Sequence, residues 1–285
     1  MKKIIITILI VFVYSSCSHQ TYSVLKWQSN KITADGKIPE WSNPLRFYDH
    51  DSKINYNITN DRQNLYLCMK VFDETMLTKI LRGGIEFRID TTGKKSFPIA
   101  FIFPISDQQM TMQHKRSETQ TEKSSGAQSY RSLMMQKKLS QSKEAQLIGF
   151  KPPLGGILSL FNTTSGISAA VNFDSLGTMY YEAIIPFSTF YKNELTTADS
   201  NKVFSYEIKV NGLPAPSTSG GSGGRGAGGG GGSGMGGGGG MHGGGGHGGS
   251  GNRGGSGGGQ ASGNSELYTT NKLTVKMKFA FQKIN

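Results

Sequence analysis

Carboxylates, imidazoles, thiols and flat aromatic rings are the side chains here with chemistry to offer, so their spacing comes first. Asp49, Asp51, Asp61, Asp73 and Glu74 gather in turn-rich stretches. Calcium takes about six to eight oxygen ligands, and turn carboxylates are suitable donors. Asp49, Asp51, Asp61 and Asp73 are therefore the candidate metal ligands. No D-x-D-x-D-G loop contains them, and solvated turn aspartates are the competing reading. Glu86, Asp90 and Glu182 fall on strand-like runs. A glycosidase needs two carboxylates at a fixed separation, but these three lie opposite the apolar stripes, where outward charge is expected anyway. No G-x-S-x-G elbow, H-E-x-x-H or Cys/His nucleophile pattern occurs. The expectation is a protein without catalytic activity. His242 and His247 flank a run of glycines. Two imidazoles on so loose a segment make a poor metal site, because ordering the loop consumes the binding energy. Trp27 and Trp41, the only tryptophans, bracket KITADGKIPEW. Each is either a platform for a ligand or a plug at the edge of a core.

Cys17 has a different use. MKKIIITILIVFVYSSCS opens with Lys2 and Lys3, continues through an apolar run from Ile4 to Tyr14, and reaches Ser15, Ser16 and Cys17. The run is shorter than the roughly 20 residues a spanning helix needs. A basic start, a short apolar stretch and small residues before a cleavage point mark a secretory signal. A cysteine directly after them resembles a bacterial lipobox, in which the signal is cut before the cysteine and the cysteine carries lipid. Tyr14 departs from the aliphatic residue usual there. The expectation is a signal peptide over residues 1–16, lipid on Cys17, and a polar tether over 17–26. Acyl chains each contribute about 0.8 kcal/mol per buried methylene, so two or more anchor stably. The other cysteine, Cys68, sits inside the strand-like run NLYLCMK.

The elements that must position these groups are written in period-two alternation. Ile54/Tyr56/Ile58, Leu65/Leu67/Met69/Val71, Ile85/Phe87/Ile89 and Phe97/Ile99/Phe101/Phe103 each share a face. So do Ile167/Ala169/Val171/Phe173, Met179/Tyr181/Ala183/Ile185, Phe204/Tyr206/Ile208/Val210 and Leu273/Val275/Met277/Phe279/Phe281. Turn residues separate the runs, which predicts an all-β, antiparallel, jelly-roll-like β-sandwich. Only Asp73–Leu81 and part of Asp107–Ser142 have helical character.

Of the 40 glycines, most lie between Gly212 and Gly263. Glycine loses the most freedom on ordering, and this tract has almost nothing to bury in return, so disorder is expected over about 213–265. Loop closure costs only about 0.6 kcal/mol per doubling of length. The flanking strands are therefore expected to belong to one sandwich, with the tract as an exposed loop. A polar insert over about 106–142 is either a functional excursion or a disordered segment. The chain of 285 residues carries a formal charge of +12, and Met110–Lys151 holds eight Lys/Arg against three Glu. Such a region attracts anionic surfaces, but no aromatic-rich RNA or DNA motif accompanies it. Nucleic acid is not an expected partner.

Ile32–Asp90 resembles the N-terminal half of carbohydrate-binding family 9-like (DOMON-like) β-sandwich domains. The residues that carry the likeness are Asp35, Gly36, Lys37, Glu40 and Trp41 in a D-G-K-x-x-E-W opening, then Asp61, Leu65, Tyr66 and Leu67, with Asp73 beyond. The resemblance implies a non-catalytic sandwich that in some members binds sugars between aromatic rings, often with calcium. In related sandwiches the ligand is haem, but no histidine here has a clear axial partner. It also implies that Trp41 is a structural plug at the fold's edge, with Asp35 and Gly36 as the structural turn beside it. A sugar site needs exposed rings and polar neighbours, which leaves Trp27, Tyr180 and Tyr191 as the candidate ligand-binding residues.

The sequence thus predicts a single sandwich domain over 27–285, tethered through Cys17 to a membrane of the bacterial cell envelope, at the outer membrane or its periplasmic face. Its expected role is glycan binding. The alternatives are an accessory envelope lipoprotein that binds another protein, and a cryptic glycoside hydrolase. Fatty-acid labelling is expected on the wild-type chain and absent from Cys17→Ser. A Cys17→Ser chain that is still labelled and still partitions with membranes would contradict the anchor.

Overall fold

The computed structural model describes residues 22–105, 125–161, 164–215 and 262–282. Cys17, the signal segment, His242, His247 and residues 216–261 of the glycine tract lie outside them. The strands are β1 (Ser23–Val24), β2 (Lys26–Trp27), β3 (Phe47–Asp49), β4 (Ile54–Asn60), β5 (Asn64–Val71), β6 (Ile85–Asp90) and β7 (Ile99–Ile102). They continue with β8 (Glu144–Ile148), β9 (Gly156–Ser159), β10 (Ser168–Phe173), β11 (Met179–Pro186), β12 (Val203–Val210) and β13 (Asn271–Lys278). Helices α1 (Glu74–Gly83), α2 (Ser125–Ser140) and α3 (Ser262–Tyr268) complete the set.

The fold is an all-β sandwich. One sheet runs β1-β13-β12-β6-β7-β8-β9, and the other β10-β11-β5-β4-β2, with β3 also paired to β4. Their apolar stripes meet in one core that includes Ile58, Leu67, Phe87, Phe101, Tyr181, Phe204 and Tyr206. Adjacent strands pair antiparallel except at two edges, where β1 joins β13 and β2 joins β4 in parallel. This corrects two expectations. The sheets are mixed, and residues 23–26, assigned above to the tether, belong to the sandwich, with Leu25 buried between the two short strands.

Helix α1 follows from local chemistry. Asp73 caps it, accepting the Met76 amide N–H at 2.9 Å, and Gly84 ends it at φ +72° with its own N–H donated to Ile80 O. Met76, Leu77, Ile80 and Leu81 bury one face. Lys79 is also buried: it donates to Thr269 O at 2.5 Å and to the Asn271 side chain, tying α1 to the start of β13. Burial lowers the Lys79 pKa. Helix α2 lies within the polar insert and buries Leu139. Strands β8 and β9, and helix α3 at the far end of the glycine tract, had no clear sequence signal.

The two ends of the tract are zipped together. Strands β12 and β13 are neighbours, with Val210 opposite Asn271. Beyond them Leu213 N–H donates to Leu267 O at 2.8 Å, and Gly212 N–H to Thr270 Oγ1 at 3.2 Å. A Cβ on Gly212 would stand 2.2 Å from Tyr268 O, so this crossing requires glycine. Replacing residues 216–261 with a short Gly-Ser bridge should therefore preserve the fold and stabilise it by about 1–2 kcal/mol through the shorter loop. Thermal denaturation checks this; a cooperative unfolding transition that disappears would contradict the pairing.

Candidate ligand-binding cleft

The N-terminal segment between β2 and β3 lies as a strap across the outer face of the second sheet. Ile32, Trp41 and Leu45 pack there on Tyr66 and Cys68, forming a second apolar cluster separate from the inter-sheet core. At its centre is Glu182 on β11, fully buried. Glu182 Oε1 accepts the Trp41 indole N–H at 2.7 Å, while Oε2 accepts the amide N–H of Gly36 at 2.8 Å and of Asp35 at 3.2 Å. Gly36 has φ +78°, and a Cβ there would meet Asn172 Cβ at 2.6 Å. Only glycine brings the amides so close to the sheet. Cys68 pairs across the sheet with both Glu182 and Asn57, and these residues are buried as well. Glu182, expected on a solvated face, is instead roofed by the strap together with Asn57. Trp41 is likewise buried.

Burial pushes the Glu182 carboxyl up to about 7, against the opposing pull of the Trp41, Gly36 and Asp35 donors and with the help of nearby Glu40. Burial, with Glu182 and Glu40 beside it, also pushes the Cys68 thiol up.

From Trp41 and Leu45 the strap runs into Arg46 and β3. Arg46 donates from Nη1 to Val24 O at 2.9 Å, and its guanidinium stands 4.8 Å from the Phe47 ring centroid. Phe47 is the register partner of Tyr56 and stacks on it, with centroids 5.2 Å apart and planes inclined at 25°. These rings form one wall of a cleft of about 450 Å³ between the edges of the two sheets. Tyr22 and Ser23 line it from the chain entering β1, Thr274, Val275, Lys276 and Met277 from β13, and Lys95 from the loop between β6 and β7. Its walls thus combine aromatic and aliphatic surface with hydroxyls and amino groups. Burial, then the Asp49 charge, pushes the Tyr56 hydroxyl up to about 12, so this group remains a neutral hydrogen-bonding partner near pH 7.

The sequence-predicted ligand residues are elsewhere and apart. Trp27 is half-buried on β2 against the core. Tyr180, half-buried on β11, donates its hydroxyl to Asp174 at 3.1 Å and has Lys70 Nζ 5.7 Å from its ring centroid. Tyr191 packs edge-on against Phe204 at 5.0 Å and hydrogen-bonds Asp199 at 3.3 Å. No ring contact or side-chain hydrogen bond joins any two of the three.

The candidate calcium ligands have local partners. Asp49 accepts from the Ser52 amide at 2.8 Å and its hydroxyl at 2.5 Å. Asp61 accepts the Gln63 and Asn64 amides at 2.7 and 2.6 Å and the Tyr66 hydroxyl at 2.5 Å. Asp73 caps α1 and pairs with Lys53 at 3.0 Å, and Asp51 uses its carbonyl to accept from Asn271. Among the described residues no three His, Cys, Asp or Glu side chains are grouped to hold a metal. The cleft residues escaped the sequence reading because Phe47, Lys95 and Lys276 belong to distant segments and carry no shared motif.

Among the described residues no helix is long and apolar enough to cross a membrane. Comparison with protein-family models, with curated proteins and with solved structures found no match.

The clamp predicts a pH dependence. Glu182 holds its proton more tightly in the folded chain than at its ordinary value of 4.5, so its contribution to stability is full below that value and declines as pH rises to about 7. Replacing Glu182 with Gln should flatten the fall in Tm across that window. Trp41→Phe, which keeps the packing and removes the indole N–H, should cost about 1–3 kcal/mol. Denaturant melts at several pH values check both, and an unchanged slope in Glu182→Gln would contradict the assignment.

Proposed function

We propose that the chain is a non-catalytic envelope protein, held to a membrane through lipid on Cys17, whose sandwich binds a glycan. The observation that carries this reading is the open cleft, lined by Phe47, Tyr56, Val275 and Met277 together with the hydroxyl-bearing residues Tyr22, Ser23 and Thr274. A sugar ring needs the same combination: apolar surface for its C–H groups and hydrogen-bonding groups for its hydroxyls. The cleft replaces Trp27, Tyr180 and Tyr191 as the proposed place of binding.

A second reading, docking of another protein, draws on the free edge of the first sheet. Strand β9 ends that sheet, and Ile148, Ile157 and Phe161 are 47, 52 and 69% exposed beside it. Exposed apolar edge strands are templates for pairing with another chain.

Calorimetric titration of the purified domain with a panel of oligosaccharides separates the two. Saturable binding is expected, weakened about tenfold or more in Ser23→Trp, which fills the cleft mouth with an indole. Binding indifferent to that substitution, or no saccharide binding across the panel, would contradict the glycan reading.

A further inference from the structure

Resting on the glycan reading of the same cleft, we infer that its ligand is an acidic saccharide, a sugar ring bearing a carboxylate or a sulfate. Two lysines and no carboxylate are among the described residues that line the cleft. Lys95 and Lys276 both line the cleft. Among the described residues neither amino group is held by a carboxylate or another side-chain partner, and the acids on adjoining segments direct their oxygens to other groups. Asp49 is bonded to Ser52. Glu207, opposite Thr274, takes Arg88 at 2.7 Å. Asp90 keeps its charge but turns its oxygens into the loop that presents Lys95: it accepts the Thr92 amide at 2.8 Å, the Thr92 hydroxyl at 2.6 Å and the Ser96 amide at 2.9 Å.

That loop is fixed. Gly93 sits at φ +71° with its Cβ position 2.8 Å from Val203 O, and Lys95 adopts φ +65°, unusual for a residue with a side chain. Phe97 anchors the loop's far end, buried, with the Arg88 guanidinium 5.5 Å from its ring centroid. The Lys95 backbone is thus arranged before any ligand arrives, which reduces the ordering cost of binding. Lys276 projects from β13, a strand hydrogen-bonded along its full length to β12. The two lysines of the lining match the anion of an acidic sugar, and Phe47 and Tyr56 its ring.

The test titrates the purified domain with oligogalacturonate, with a sulfated galactan oligosaccharide, with a neutral galactan oligosaccharide of equal length, and with inorganic sulfate. Lys95→Gln and Lys276→Gln, each checked for an unchanged Tm, are measured beside the wild type. The expected result is binding of an acidic oligosaccharide at least about tenfold tighter than the neutral one, weakened about fivefold by each substitution and further by added salt. Neutral and acidic sugars bound equally well, with both variants unaffected, would overturn the acidic assignment and leave the glycan reading standing. Inorganic sulfate bound as tightly as the sulfated oligosaccharide would also overturn it, because the ring then contributes nothing. Absence of binding by every saccharide would overturn the glycan reading and this inference with it.

Discussion

A carboxylate taken out of water must be met by donors or surrender its charge. Glu182 answers that constraint in both ways: it draws three N–H groups from one short stretch, Asp35–Trp41, onto the outer face of a sheet, and it still holds its proton up to about pH 7. The D-G-K-x-x-E-W opening can be understood through this contact. Gly36 permits the close approach, Asp35 and Gly36 expose their amides, and Trp41 supplies both the indole N–H and the apolar cover. The rest of the strap follows from being fastened there. Leu45 and Ile32 fall onto Tyr66 and Cys68, and the chain leaves the cluster directed into Arg46 and β3.

The strap therefore connects a structural motif to a candidate binding surface. Arg46 bonds to Val24 at the edge of one sheet, while Phe47 stacks on Tyr56 in the other. The cleft lies where these two edges stand apart. β1 covers the last part of β13 through Met277 and Lys278, and the cleft is lined from Thr274 onward. On the opposite side the zipped ends of the glycine tract, α1 and the buried Lys79 hold the start of β13 in register. Cleft geometry thus depends on both ends of the chain at once.

Much of the architecture was legible because alternation reports which side of a strand meets the inter-sheet core. The stripes through Ile54–Ile58, Leu65–Val71, Met179–Ile185 and Phe204–Val210 fall where the pattern places them. Alternation is silent about the opposite side. Asn57, Cys68 and Glu182 look like residues facing water, and only the strap, an irregular segment with no periodicity, covers them. Strands β8 and β9 escaped notice because their exposed Ile148 and Ile157 break the expected polar side. The cleft was illegible for another reason: Lys95 lies in an ordinary turn and Lys276 in an ordinary strand, and only long-range pairing brings them to the same surface. The aromatic candidates do not converge because each is held by a different neighbour: Trp27 by the core, Tyr180 by Asp174 and Tyr191 by Phe204.

The contact at the centre of this account is best measured by amide and indole hydrogen exchange, residue by residue, in the native protein. The Gly36 amide and the Trp41 indole N–H are predicted to exchange as slowly as the amides in the middle of β11, because all are released only when the sheet opens. Exchange of these two protons at the rate of an unstructured loop, while β11 remains protected, would show that Glu182 does not hold the strap.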